Sequence, residues 1–501
     1  MTKEAPERII NSFLKEGVVP FWMWNDKVRK GEVLRQLGEI KSKGMNQVII
    51  HPRFGLETEY LSESWFTAIG WVLEKAKKQD MGVWIYDELN WPSGYAGGKV
   101  LETRPELQAT HLTKTPGGYQ VRKSTWKPAY SDGYYIDVLN NQAVDVFIDK
   151  VYEEYWRRFN GFFGTTILGF FTDEPGIYNN FLDHDLNSIP WTKRLPRFFQ
   201  KLNGYSLEDS LDKIWGGTSQ EAIQVRVDFW STISLLYQQT YFKKLQRWCH
   251  GRGVAFIGHV LMEESMVDTA KTQGNFFSTM EFLDLAGYDL LVQLEQKTII
   301  AARLAESARK IFGLKGVCAE TFGIFGWNMT PEQMKQISKW QIDMGLDVVI
   351  PHALYYSLRG ERFDDCPPSF FVEKFWKNFR EYVGYVQKLL KERKVEQPKT
   401  AVFYPIESVW GLMSPNDAIE AEQVDWVFQQ TSYALYNNNI KFDYVTSKHI
   451  QDKKLMGYTT VILPSTEIIP LTTYRTIVKF AGRGGRVVVI GKPPRYATKA
   501  S

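Results

Sequence analysis

Cysteine is scarce. Cys249, Cys318 and Cys366 are the only three in 501 residues, and they lie far apart with no CxxC pair. That spacing gives neither a zinc ribbon nor a disulfide framework. Charge of one sign is lacking too: 61 Lys and Arg stand against 57 Asp and Glu, a formal +4. So even a balance points away from nucleic acid and from a membrane surface as partner. No apolar run reaches the roughly 20 residues of a bilayer-crossing helix. The opening Met-Thr-Lys-Glu-Ala-Pro-Glu-Arg has no apolar core of a secretory leader. The expectation is a cytoplasmic protein, or a secreted one whose leader has been lost. No internal repeat or low-complexity segment is present.

Aromatic residues are what the chain has in plenty: 17 Trp, 25 Tyr and 31 Phe make 15% of it. A large aromatic core accounts for such an excess. So does a cleft whose flat apolar walls stack on the C–H faces of sugar rings.

Strand-like and helix-like segments alternate along most of the chain, the pattern of an α/β fold. Short apolar runs are read as strands at 18–24, 47–51, 82–86, 167–172, 254–260, 285–292, 316–319 and 347–351. Amphipathic segments between them are read as helices, among them 30–43, 62–79, 144–158, 298–312 and 331–344, with Thr330 as an N-cap. Eight strands over about 340 residues predict a (β/α)₈ barrel, also called a TIM barrel. Residues 99–142 read as a polar, β-rich insertion, and 190–250 as several helices. A helix near 368–391 closes the barrel, which takes residues 1–395, and the polar run 391–399 reads as a linker. A smaller open-sheet α/β domain of the flavodoxin or amidotransferase kind follows over 396–501, with strands at 400–404, 442–445, 459–463 and 486–490 and helices at 420–436 and 471–482. It has no GxGxxG loop and no nucleophile elbow, so no active site is assigned to it. Its end soon after a strand suggests a domain cut short.

Polar residues gather at the expected strand tips. They are His51 with Arg53, Asp87 with Glu88, Asp173 with Glu174, His259 with Glu263 just beyond, Glu320, and His352. A barrel interior is packed with apolar layers, so ionisable groups collect at its mouth. Glycosidic hydrolysis needs two carboxyl groups flanking the anomeric carbon, one to protonate the leaving oxygen and one to attack or to activate water. Glu174 and Glu320, from the fourth and seventh strands, are the expected catalytic pair. Glu174 is the general acid, its pKa raised by Asp173 and an aromatic wall, and Glu320 is the base or nucleophile. His51, Asp87, Glu88, Trp91, Asp173, His259 and His352 are expected to hold substrate, with Tyr355 and Tyr356 as walls or core. The chemistry requires no cofactor. The acidic mouth, with Glu88, Asp173 and Glu263 as weak metal candidates, has the hard oxygens that Ca²⁺ takes, though no EF-hand spacing supports a site.

Several stretches together resemble the glycoside hydrolases of family 106, the α-L-rhamnosidases. They are Pro-Phe-Trp-Met-Trp-Asn at 20–25, Gln-Val-Ile-Ile-His-Pro-Arg at 47–53, Trp-Ile-Tyr-Asp-Glu-Leu-Asn-Trp-Pro-Ser-Gly at 84–94, Phe-Phe-Thr-Asp-Glu-Pro at 170–175, Cys-Ala-Glu-Thr-Phe-Gly at 318–323 and Asp-Asp-Cys-Pro-Pro-Ser at 364–369. The resemblance implies inversion at the anomeric carbon and Ca²⁺ in the active site. Glu-Pro after the fourth strand and Glu on the seventh also resemble the clan A barrels, which implies retention, no metal and a β-galactosidase-like activity. A barrel that binds carbohydrate without cleaving it is the third reading. Sugar, linkage and oligomeric state stay open.

Overall fold

The first strand, Phe21–Trp24, is buried at every residue. Alternation sends Phe21 and Met23 into one apolar cluster and Trp22 and Trp24 into another. Burial on both faces is the mark of a parallel strand with a packed core inside and helices outside. In the computed structural model, which describes residues 4–179, 187–291, 296–359, 369–394, 397–453 and 455–499, seven further strands repeat the pattern. Gln47–Pro52, Gly82–Tyr86, Ile167–Asp173 and Ala255–His259 pair in parallel, in that order, onto the first. Ala286–Leu290, Val317–Thr321 and Val348–Pro351 form a second parallel ladder.

Two seams close the ring. The Val19 amide donates to Val349 O at 3.0 Å and the Val349 amide to Gly17 O at 2.9 Å, joining the eighth strand to the first. Asp284 joins the fifth to the sixth: its amide donates to Phe256 O at 2.9 Å, and its carboxylate accepts from the Phe256 amide at 2.7 Å. The architecture is the expected eight-stranded barrel. The smaller inner cluster of Phe21, Met23, Ile49, Trp84, Tyr86, Phe171, Ile257 and Ile350 fills its centre.

The N-terminal end of this barrel is plugged. Helix Glu4–Glu16 inserts Ile9, Ile10 and Phe13 into the inner cluster, and Phe13 meets Trp84 edge-on at 4.8 Å. Chemistry is thereby left to the C-terminal mouth, where (β/α)₈ barrels keep it.

Most segments fall within two residues of expectation, including the capping box of Thr330 on helix Pro331–Asp343. The helix expected over 144–158 is instead Asn141–Ile148 and Glu154–Phe159, joined by a wider π turn. The insertion is β-rich as read, but its hairpin Thr110–Thr115/Gly118–Lys123 gains an antiparallel third strand, Ser188–Trp191, from beyond the fourth barrel strand. The end of the sixth strand at Val292, the stretch 364–368 with Cys366, and part of the linker lie outside the described residues.

After the barrel, four strands form a parallel sheet in the order Phe442–Val445, Thr400–Phe403, Thr460–Pro464, Arg486–Ile490. Asp443 binds Arg303 and Lys310 of a barrel helix at 2.8 Å each, and Arg226 donates to Gly411 O at 2.7 Å. Short helices Ile406–Leu412 and Ser447–Lys453 escaped the sequence reading. Among the described residues no helix is long and apolar enough to cross a membrane.

Candidate active site

Asp173 and Glu174 stand at the end of the fourth strand because the ladder stops there. Asp173 is still paired with His259 of the fifth strand, and Glu174 then turns left-handed, with φ of +47°. A non-glycine residue in that region carries strain of about 1–3 kcal/mol and persists only where its surroundings hold it. The Glu174 amide donates to His259 O at 3.2 Å, and its carbonyl accepts the Tyr178 hydroxyl at 2.7 Å. Both bonds fix the turn, and no hydrogen bond to the Glu174 carboxyl is formed by the described residues.

His259 is the hub. Its Nε2 lies 2.9 Å from Glu320 Oε2 and 3.3 Å from Asp173 Oδ1, and its Nδ1 lies 3.3 Å from Val260 O. Two carboxyl groups and a carbonyl around the ring favour the imidazolium, in which both nitrogens donate. Burial disfavours that cation, but Asp173 and Glu320 outweigh it and hold the pKa well above the usual value. Asp173 also accepts the Tyr86 hydroxyl at 2.6 Å. Glycine permits this closeness. A Cβ on Gly258 would stand 2.0 Å from Thr172 O, and one on Gly287 would stand 1.8 Å from Gly258 O. The fourth, fifth and sixth strands therefore press together just below Asp173, His259 and Asp289.

Five carboxyl groups crowd this point. One ligand atom each from Asp173, Glu174 and His259 lie within 4.8 Å of one another, and so do those from His259, Asp289 and Glu320. Burial first, then Asp173, Glu263 and Glu320, raise the Glu174 pKa well above the carboxylate range, with His259 opposing. Burial and Asp173 also raise Glu320, while His259 and Arg53 pull it back. Asp289 is raised by burial and then Glu320. Glu263 is pushed to about 8 by burial and then by Glu264. Glu263 Oε1 and Asp289 Oδ1 are buried with no hydrogen-bond partner among the described residues.

Across the mouth, His51 stacks on Tyr86 at 3.5 Å, donates from Nδ1 to Pro52 O at 3.0 Å, and faces Arg53 with Nε2 at 3.4 Å. Burial and then Arg53 lower the pKa of both His51 and His352 well below the usual value, so both rings are neutral. The Arg53 guanidinium lies over the Trp91 ring at 4.2 Å.

Two expectations need correction, and two left open between wall and core close on core. Glu88 does not reach the mouth. Its two oxygens accept the backbone amides of Leu89, Gly94, Tyr95, Ala96 and Gly97 at 2.5–3.0 Å, which leaves neither substrate nor metal a place. Asp87 is likewise taken, by the Ser93 hydroxyl at 2.5 Å and the Tyr152 hydroxyl at 2.6 Å. Tyr356 packs into the outer helical layer, its hydroxyl accepting the Arg29 amide. Tyr355 lies in the inner cluster at 1% exposed and is core rather than wall. One participant went unassigned in the sequence: Asp289, a tip residue whose ladder partner is Glu320. The signal was an acidic residue one position before the end of an otherwise largely apolar sixth strand.

A family model described as alpha-L-rhamnosidase matches residues 116–499. Among solved structures, a rhamnosidase from Novosphingobium sp. PP1Y is similar, with TM-score 0.66 at 12% identity over 98% of this chain and 70% of that one. A β-galactosidase from Rahnella sp. R3 gives 0.64 at 15% identity, over 95% and 72% of the respective chains. One from the haloarchaeon Halorubrum lacusprofundi gives 0.64 at 12%, over 94% and 72%. At such identities the likeness is one of fold. No curated protein matches the sequence.

Proposed function

The chain belongs to the α-L-rhamnosidase family of glycoside hydrolases, and from that premise we propose that it cleaves an α-L-rhamnoside at the barrel mouth with Glu174 as general acid and Glu320 as base. The observation that carries the reading is the convergence of both carboxyls on His259 from strands that are not neighbours in the ring. Both carboxyls are raised, Glu174 well above its ordinary value, whereas His259 and Arg53 pull Glu320 back. Glu174 sits among carboxylates and so keeps its proton near neutrality. Glu320 touches an imidazolium, which favours the charged form that takes a proton from water. Asp173, fixed by Tyr86, holds the imidazolium in place.

The buried oxygens of Glu263 and Asp289 without partners fit a hard divalent cation such as Ca²⁺, which these two would hold. When bound it supplies a Lewis acid that gathers sugar hydroxyls. His51, His352, Arg53 and Trp91 stand at or beyond the ends of the second, third and eighth strands and are read as substrate contacts. The parallel sheet after the barrel supports a flavodoxin-like unit over 396–501 with no chemistry of its own.

Nitrophenyl glycosides test the reading. Wild type should hydrolyse the α-L-rhamnoside, and NMR of the first-formed sugar should show the inverted anomer. Glu174→Gln and Glu320→Gln should each cut turnover on an unactivated rhamnoside by about 10³-fold or more with unchanged circular dichroism. If both variants keep wild-type activity, the assignment is wrong. Hydrolysis of the β-galactoside alone would move the protein to the other glycosidase reading.

A further inference from the structure

Beyond the carboxyl cluster, the side of the mouth formed by the second and third strands carries rings that take no part in the proton transfers. Arg53, at the buried end, stacks on Trp91. Trp91 meets Tyr130 of the insertion edge-on at 5.7 Å. Tyr130 in turn lies 4.4 Å from Phe54, with the two planes 32° apart. The series runs from buried to open: Glu320 is 6% exposed, Phe54 37% and Tyr130 53%.

We propose that Phe54 and Tyr130, continued inward by Trp91, form a stacking platform for the leaving-group portion of the glycoside, and that this portion presents a flat ring. The proposal rests on the glycosidase reading and extends it to the part of the substrate that is released. The terminal sugar must reach the buried carboxyls, so whatever it is attached to protrudes along the open side. There it meets two large aromatic faces. Such faces recognise rings by apolar contact and by the ring quadrupole, whether the C–H face of a second sugar or an aromatic aglycone.

Anchoring the insertion does not explain these two rings. That task falls to Trp126, Tyr135 and Tyr178. Tyr135 and Tyr178 are each 1% exposed, and Trp126 stacks on Tyr178 at 4.1 Å. Tyr130 is also presented at a cost. It sits at φ +58° in a turn closed by the Ser131 amide on Pro128 O at 3.2 Å, a left-handed conformation unusual for tyrosine. Strain of this kind collects at ligand sites.

The test compares wild type with Phe54→Ala, Tyr130→Ala and Tyr130→Phe on three rhamnosides: the glycosyl fluoride, a disaccharide and a polycyclic aryl glycoside. For the extended substrates the alanine variants should raise KM about tenfold with kcat within about twofold, and Tyr130→Phe should restore KM. The KM rise should shrink on the fluoride, which has no ring to stack. The larger rise, on disaccharide or on aryl glycoside, names the kind of leaving group. Equal KM changes on all three substrates, or none, would overturn the platform, as would a loss of kcat on all three together with a lower melting temperature. If wild type hydrolyses none of the three, the glycosidase reading itself fails and takes the platform with it. If wild type hydrolyses all three and the variants match it, the platform alone fails.

Discussion

His259 Nε2 lies 2.9 Å from Glu320 Oε2, so an imidazolium on the fifth strand sets the charge of a carboxyl on the seventh. The two groups support one another: Glu320 helps raise the imidazole pKa, and the imidazolium lowers that of Glu320 against burial and Asp173. His259→Gln should therefore push the Glu320 pKa up. The acid limb of kcat/KM should move to higher pH, and kcat at neutral pH should fall about 10²-fold. An acid limb unmoved in the variant would make His259 a packing residue.

Glu174 makes no such hydrogen bond to His259 and is held further up. Its pKa is raised by burial and three neighbouring carboxyls, and a general acid acts only while protonated. The rate should thus fall as pH rises through that raised pKa, giving an alkaline limb. Glu174→Gln should lose about 10³-fold on an alkyl rhamnoside but only about tenfold on a dinitrophenyl one, whose leaving group needs no proton. On the latter the alkaline limb should vanish. Equal losses on both leaving groups would remove Glu174 from the acid role.

The crowding of Asp173, Glu174, Glu263, Asp289 and Glu320 about one imidazolium leaves excess negative charge once they ionise. A divalent cation would relieve it. Titration calorimetry on chelator-treated protein should show one Ca²⁺ bound, weakened about 10- to 100-fold by Asp289→Asn. Activity should drop in chelator and return with Ca²⁺. Full activity in chelator together with no binding heat would rule the cation out.

How much of this was legible beforehand follows from what a residue's role depends on. Strand existence depended on short apolar runs, and all eight barrel strands were readable. The meeting of Glu174 and Glu320 at His259 was readable because a strand tip in a closed barrel faces one common space. The role of Glu88 was not, because five amides of its own loop claim it, and loop geometry leaves no periodic trace. Tyr355 and Tyr356 stayed open between wall and core for a related reason. Both lie buried, one in the inner cluster and the other in the outer layer, and a tyrosine just past a strand tip looks the same in sequence whether it walls a cleft or packs on a helix.

Glu88 yields a stability prediction. Removing its carboxylate orphans several buried amides at once, at about 1–3 kcal/mol for each group left unsatisfied. Glu88→Ala should lower the melting temperature by several degrees or abolish soluble expression. Loss of activity should follow loss of fold: residual folded enzyme keeps its KM. A stable Glu88→Ala enzyme with a raised KM would return Glu88 to the substrate site.

The last prediction concerns the second unit. Glu407 opens the helix Ile406–Leu412 at 4% exposed, and its Oε2 lacks a hydrogen-bond partner among the described residues. Burial outweighs the nearby Ser447 hydroxyl and pushes its pKa from 4.5 to about 7. The folded state therefore holds this proton where the unfolded chain has lost it, and the associated stability is complete below about pH 4.5. It is lost as pH climbs to about 7: a shift of about 2.5 units at 1.36 kcal/mol each gives about 3 kcal/mol as the upper bound. Glutamine has the same shape and no proton to lose. Glu407→Gln should gain on wild type across pH 4.5 to 7 and hold a constant advantage above. Paired melting scans at pH 5 and pH 7.5 read the difference directly. A gap that stays the same at both values would mean that Glu407 is charged in the folded protein, with Ser447 and the helix N-terminus as the groups that satisfy it.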